Sequence, residues 1–332
     1  MMPQTARTRA AGSRSAAVTL ESLRAAARVL DGVALRTPLL DVPDLAARLG
    51  VPVGLKCELL QPIGAFKIRG AYNALARLSA AGGAPGVVTA SSGNHGQALA
   101  FAARQFGLRA VVVMPESTPR VKVDGVRRHG GEVVLAGATR SAEQAARAEA
   151  IARDQGLAMI PPFDHPDVIA GQGTIGLEIL EQRPDVRTIL VPVSGGGLIS
   201  GIAVATAALA PGVEVVGVEP AGAAKLSAAL AAGSPRSLER TESMADGLLS
   251  RSVGTLTFEL MRGVVRRAVT VTEGEIAAAV RYLHHHTELR PEPSGAVAVA
   301  ALLAGRVIPD GAVVAVVSGG NVDPDLYQRL VQ

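Results

Sequence analysis

The sequence predicts an α/β protein built on doubly wound, mostly parallel sheets with helices on both faces. Three observations predict it. Short β-branched runs alternate with Ala-rich helical stretches along most of the 332 residues. The runs are nearly continuous in apolar residues, as strands covered on both faces must be. With 48% apolar residues, 2% aromatic and no Trp, the core must be filled by Val, Ile, Leu and Ala, the mix of a sheet buried between helices.

Residues 1–18 are rich in Ala, Arg, Ser and Thr and lack an apolar segment, so they read as a disordered extension and not as a secretory signal. Thr19 can cap a helix whose apolar residues recur at Leu20, Leu23, Ala27 and Leu30. Strands are expected at 53–57, 87–90, 110–114, 132–136, 188–193, 213–218 and 312–317. Helices lie between them, including 142–154 and 273–287, the latter opening with a capping box in which Thr272 reaches Glu275. Residues 188–213 carry no charge and are long enough to span a bilayer. Pro192, Gly195, Gly196, Gly197, Gly201 and Pro211 break that stretch into strand, turn and helix, so buried structure is expected and no membrane span. Residues 232–251 are polar and turn-rich.

The net charge of +4 is thinly spread, and Arg7, Arg9 and Arg14 sit in the tail. No basic stripe is interleaved with aromatics, which speaks against nucleic acid as a partner. One cysteine, Cys57, excludes an internal disulfide and fits a reducing, cytoplasmic compartment.

Chemistry concentrates where turns follow strands. Ser91-Ser92-Gly93-Asn94-His95-Gly96 leads from an expected strand into a helix starting near Gln97; such a helix N-terminus presents N–H groups and a positive dipole end to a carboxylate or phosphate. Ser194-Gly195-Gly196-Gly197-Leu198 lets the backbone approach an anion closely. Its GGGxxxG spacing departs from G-x-G-x-x-G, favouring a single phosphate over a dinucleotide and weakening a dehydrogenase reading. Ser318-Gly319-Gly320-Asn321 taken alone is a turn. Lys67 lies between Phe66 and Ile68 in an uncharged approach, a setting in which an amine can serve as nucleophile and base, although a lone lysine is usually a solvated surface residue.

Phe66-Lys67-Ile68-Arg69-Gly70-Ala71, the two glycine turns and the closing SGGN occur in this order. They are joined by Ile160-Pro161-Pro162-Phe163-Asp164-His165-Pro166, Ala170-Gly171-Gln172-Gly173-Thr174 and Ala245-Asp246-Gly247. Over roughly residues 20–331 the chain resembles the threonine/serine dehydratase and serine racemase family of pyridoxal-phosphate enzymes (fold type II). The resemblance implies a two-lobe enzyme, residues 19–78 and 164–332 forming a large cofactor lobe and 79–163 a small lobe that closes over substrate. It implies pyridoxal 5′-phosphate held covalently by Lys67, with Phe66 against its ring, Asn94 at its ring hydroxyl, Gly195, Gly196, Gly197 and Leu198 around its phosphate, and Ser318 facing the pyridine nitrogen. Ser91, Ser92, Gly93, Asn94 and His95 would receive the substrate carboxylate, and Ser92 could add acid/base work on the face opposite Lys67.

The implied reaction is loss of water and ammonia from L-threonine or L-serine; serine racemase and 3-hydroxyaspartate ammonia-lyase are the alternatives on the same scaffold, and a non-catalytic sensor is the rival from another class. A homodimer is expected from the resemblance alone. Where relatives ligate a divalent cation, Glu219 is present but the second acid is replaced by Lys225, so no metal is assigned and an ammonium paired with Glu219 is the alternative. His284, His285 and His286 are consecutive on a helix and splay apart, so they are expected at the surface. Glu292 falls at a family position near the cofactor with no role that the residues themselves dictate.

Overall fold

The protein is described by a computed structural model over residues 18–91, 93–138 and 142–332. Its strands are β1 (Leu39–Asp41), β2 (Val53–Lys56), β3 (Gly86–Ala90), β4 (Arg109–Met114), β5 (Glu132–Leu135), β6 (Ala158–Met159), β7 (Thr188–Pro192), β8 (Glu214–Pro220), β9 (Arg267–Val271) and β10 (Val313–Val316). They form a 6-stranded sheet in the order β1-β2-β10-β7-β8-β9 and a 4-stranded sheet in the order β5-β4-β3-β6. All pairings are parallel except β1 with β2. Both ends of the chain therefore meet in the large sheet, with β10 between β2 and β7.

Alternate residues of one strand reach opposite faces, and the core divides accordingly. Val314 and Val316 join Ile189, Val191 and Val215 in one cluster, while Val313 and Ala315 join Leu190, Val216 and Val218 in another. In the small sheet, Val87, Val112 and Met114 lie on one face and Val88, Val111 and Val113 on the other. Helices cover both faces, as the continuous apolar runs predict.

All seven expected strands form, with ends displaced by a residue or two. The three not expected, β1, β6 and β9, are all edge strands. An edge needs no apolar run on two faces, so it leaves a weak signal. Thr19 caps its helix through a capping box with Ser22, but the buried stripe is Leu23, Ala26 and Leu30, and Ala27 is exposed. Val18, placed at the end of the tail expected over 1–18, is buried in the cluster holding Leu23; residues 1–17 lie outside the described residues. The uncharged stretch resolves into β7, a turn and the helix Gly197–Leu209. Among the described residues no helix is long and apolar enough to cross a membrane.

The helix Pro166–Gln182 lies between the helices Lys67–Ala80 and Gly197–Leu209, and glycines set both distances. A Cβ on Gly171 would stand 2.5 Å from the Arg69 carbonyl, and one on Gly201 would stand 2.6 Å from the Gly173 nitrogen. Backbones approach this closely only without side chains. The run Ala170-Gly171-Gln172-Gly173-Thr174 is thus a packing spacer that fixes the helix of Lys67 relative to the helix of the glycine loop.

A buried charge network anchors the same helix. Arg69 Nε donates to Glu58 at 2.8 Å, and its terminal nitrogens reach Glu58 and Glu178 at 2.6–3.0 Å. Lys56 Nζ donates to Glu178 at 2.5 Å and to the Thr37 carbonyl at 2.8 Å. Burial alone would raise the Glu58 carboxyl; the charge and hydrogen bonds of Arg69 outweigh it and hold the group below the usual carboxylate range. Removing Arg69 leaves that carboxylate buried and unpaired, so Arg69→Met should cost about 3–5 kcal/mol in urea unfolding. Arg36 and Glu181 make an equally short bond, but at 55% and 63% exposure, and Arg36→Met should cost less than about 1 kcal/mol.

Candidate active site

Four turns at the carboxyl ends of β2, β3, β7 and β10 converge, the place where open α/β sheets bind ligands. Lys67 is the first residue of the helix Lys67–Ala80. Its Nζ donates to the Pro162 carbonyl at 2.7 Å and lies 5.1 Å from the centroid of the Phe66 ring. The loop before it is stitched to the turn after β10. Phe66 N donates to the Ser318 carbonyl at 3.1 Å, Gly320 N donates to the Gly64 carbonyl at 2.9 Å, and Ala65 bridges Gly319. Ser318 is 5% exposed at this seam.

After β3 the helix begins at Asn94 and not near Gln97. The Ser91 hydroxyl accepts from the backbone N–H of Gly93 and Gly96, which closes the turn three residues earlier than the sequence suggested. Ser92 lies outside the described residues. The Asn94 amide donates to Glu292 Oε1 at 2.6 Å and accepts from Asn321 Nδ2 at 2.8 Å, and Asn321 Nδ2 also donates to the Ile63 carbonyl at 2.9 Å. The His95 ring is buried and turned to the Ile160 carbonyl at 3.1 Å. A carbonyl only accepts, so Nε2 carries the proton. Burial, reinforced by the nearby Lys67 charge, pushes the imidazole down to about 3. The ring is neutral and is no cationic anchor for a carboxylate.

The turn after β7 is shaped by its neighbours. Gly196 has φ +95° and caps the helix Gly197–Leu209. A Cβ on Gly195 would overlap the Phe163 ring, and one on Gly196 would meet Met261 at 2.6 Å. The Gly195 carbonyl is held by Gly254 N at 3.0 Å and Thr257 Oγ1 at 2.8 Å. Leu198 follows in the first helical turn, and the Ser194 hydroxyl meets Ser250 at 3.1 Å. The chain direction aims the N–H groups of residues 196–198 past the strand end, where an anion would find partial positive charge.

Residues 160–165 tie these turns together. Besides the Ile160 and Pro162 carbonyls and the Phe163 ring, Asp164 accepts from Thr257 N at 3.1 Å and Thr255 N at 3.2 Å, capping the helix Thr255–Met261. Three groups whose part the sequence left open join the site: Asn321, Glu292 and the ion pair of Lys122 with Asp246. Away from it, the Lys225 ammonium stands 3.6 Å from Glu219, both fully buried, and donates to the carbonyls of Ala223 at 2.7 Å and Leu248 at 2.8 Å. Glu219 in turn accepts from Leu226 N at 2.7 Å and Ser227 N at 2.9 Å.

The family model described as pyridoxal-phosphate dependent enzyme matches residues 30–319. An L-threonine ammonia-lyase of Thermotoga maritima is 42% identical over 316 residues, 95% of this chain and 78% of that protein. The crystal structure of a T.th. threonine deaminase superposes with TM-score 0.87 at 40% identity, covering 92% of this chain and 99% of that one. A maize serine racemase superposes with TM-score 0.88 at 35% identity, covering 95% and 97%. The family match runs through nearly all of the described residues, with relatives of about 40% identity covering nearly the whole chain, and the chain belongs to the pyridoxal-phosphate-dependent enzymes of fold type II.

Proposed function

We propose that this protein eliminates water and ammonia from a β-hydroxy amino acid, L-threonine or L-serine, giving the 2-oxo acid. The observation that carries the reading is the Lys67 amine, held 2.7 Å from the Pro162 carbonyl at the meeting point of the four turns. The residues fit the cofactor's chemistry. At residues 195–197 any side chain would collide with Phe163, Met261 or Thr257, so the turn stays bare backbone, and runs of bare N–H groups suit an attached phosphate. Lys67 supplies the amine for its aldehyde, and Glu292 Oε2 is a buried polar atom with no partner among the described residues.

When bound, pyridoxal phosphate supplies an electron sink conjugated to the substrate nitrogen. The protein supplies the rest. Lys67 holds the cofactor, and its Nζ, once released by substrate, takes the Cα proton. The backbone N–H groups of Gly195, Gly196, Gly197 and Leu198 would bind the phosphate, and Phe66 would contact the ring. Asn94 donates to the ring hydroxyl. Ser318 faces the ring nitrogen with a neutral hydroxyl, which cannot keep that nitrogen protonated. That neutral contact would favour loss of the β-hydroxyl over reprotonation at Cα. The turn of Ser91, Ser92, Gly93, Asn94 and His95 receives the substrate carboxylate by backbone N–H groups at its helix start, since the His95 ring is spent on Ile160. Residues 79–163 close on the large lobe, 19–78 and 164–332, and exclude water. The protein works as a cytoplasmic homodimer.

The maize racemase similarity favours a second reading, serine racemisation, in which Ser92 serves the face opposite Lys67. Incubation with L-threonine, both serines and hydroxyaspartate isomers separates them: 2-oxo acid should dominate, and abundant D-serine with little pyruvate would reverse the assignment. Lys67→Ala should lose both the colour of the bound cofactor and turnover. Gly195→Ala adds overlap with Phe163, whose typical cost of about 1–3 kcal/mol predicts cofactor affinity weaker by about tenfold or more. Gly212→Ala, with nothing within 4 Å, should leave it unchanged in the same fluorescence titration.

A further inference from the structure

Glu292 immediately precedes the helix Pro293–Leu303 without capping it by its side chain, and is 2% exposed. Its Oε1 accepts from Asn94, and its Oε2 is buried with no hydrogen-bond partner among the described residues. An unpartnered carboxylate oxygen in such a place is costly, whereas a protonated carboxyl is much less so. The charged groups that face it are Lys122, from the helix Arg120–Arg128, and Asp246, from the turn Asp246–Leu248. The Asn94 helix presents only the amide, and the turn after β10 presents the Gly319 backbone. Lys122 and Asp246 are bonded to each other. Two acids thus share one ammonium, and the cluster is neutral with one proton bound. That proton belongs on Glu292, because Asp246 already holds the cation.

The amides lock in one direction. Asn321 spends its nitrogen on the Ile63 carbonyl and on Asn94 Oδ1, so Asn94 must turn its own nitrogen to Glu292. One Asn94 N–H then remains for a ligand. Gly319 leaves room for this: a Cβ there would overlap Glu292 Oε1 and stand 3.1 Å from Asn94 Nδ2.

We propose that Glu292 is a positioning residue, kept as a neutral acid, that fixes the Asn94 amide as donor to the cofactor's ring hydroxyl and gives the site its response to pH. The proposal rests on the reading of Asn94 given above. Burial is the main cause that raises the Glu292 carboxyl, to about 7; Asp246 pushes the same way, and Lys122 and the Asn94 bond pull it only partly back. Above that pH a negative charge appears beside the Asn94 contact, and the ring hydroxyl holds its proton more tightly.

The test compares the full chain with Glu292→Gln, which keeps an acceptor for Asn94 and cannot ionise. A carboxyl raised above its ordinary value of 4.5 stabilises fully below that pH and loses its contribution as pH climbs through about 7. Without cofactor, the wild-type thermal midpoint should therefore fall relative to Glu292→Gln between pH 4.5 and 7.5, by on the order of 5 °C. A gap that stays constant over that range overturns the neutral acid. With pyridoxal phosphate bound, the wild-type absorption spectrum should show a transition near pH 7 that Glu292→Gln lacks. The same transition in both proteins overturns the positioning role alone; no coloured complex in the wild type overturns that role together with the proposed function. Should Glu292→Gln not fold, infrared difference spectra of the wild type between pH 6 and 8 decide. A buried protonated carboxyl band lost at the higher pH supports the proposal, and its absence overturns it.

Discussion

The Lys67 ammonium donates to the Pro162 carbonyl at 2.7 Å, and the segment carrying that carbonyl touches several of the converging turns. Ile160 is bound to the small sheet through Val88 and to the His95 ring. Phe163 lies where side chains on Gly195 and Gly197 would be. Asp164 caps the helix Thr255–Met261, which in turn holds the Gly195 carbonyl through Thr257. Moving this short stretch would displace the Lys67 amine, the glycine turn after β7 and the turn after β3 together. Two prolines, Pro161 and Pro162, restrict its backbone to few conformations. The segment is also the covalent join between β6 of the small sheet and the helix Pro166–Gln182.

Buried charge is used in two ways. The network of Arg69, Glu58, Glu178 and Lys56 fixes the start of the Lys67 helix with fully engaged partners. The pair of Lys225 with Glu219 fixes the far side: the ammonium draws in the Leu248 carbonyl, and with it the turn that presents Asp246 to Lys122. An ammonium on a buried stem thereby links β8 to the turn Asp246–Leu248, with charge, carbonyls and carboxylate in mutual contact. Glu292 differs from both, because its second oxygen has no donor among the described residues.

Much of this was legible in the sequence because period and chemistry coincide there. The strands β3, β7 and β10 are mostly apolar on both faces, and each leads into one of the converging turns. Lys67 and residues 195–197 stood out because they sit in motifs whose order along the chain carries the family resemblance, and that family is the one the chain belongs to. Edge strands such as β9, half-exposed along Arg267–Val271, carried no comparable signal. Asn321 looked like one more turn residue, since its role comes from Asn94, 227 positions away in the chain. Lys122 and Asp246 are separated by 124 residues and share no local pattern. His95 could be read as a polar ligand of the turn, and only the packing reveals that its ring faces Ile160. Ser92 lies outside the described residues, so the sequence remains its only witness.

The site depends above all on which amine meets the cofactor's aldehyde. Borohydride reduction of the protein loaded with pyridoxal phosphate, followed by protease digestion and mass spectrometry, locates that bond directly. The label is predicted on the peptide containing Phe66-Lys67-Ile68, with Lys56, Lys122 and Lys225 unmodified. A label on any other lysine, or none after loading, would contradict the assignment of the site.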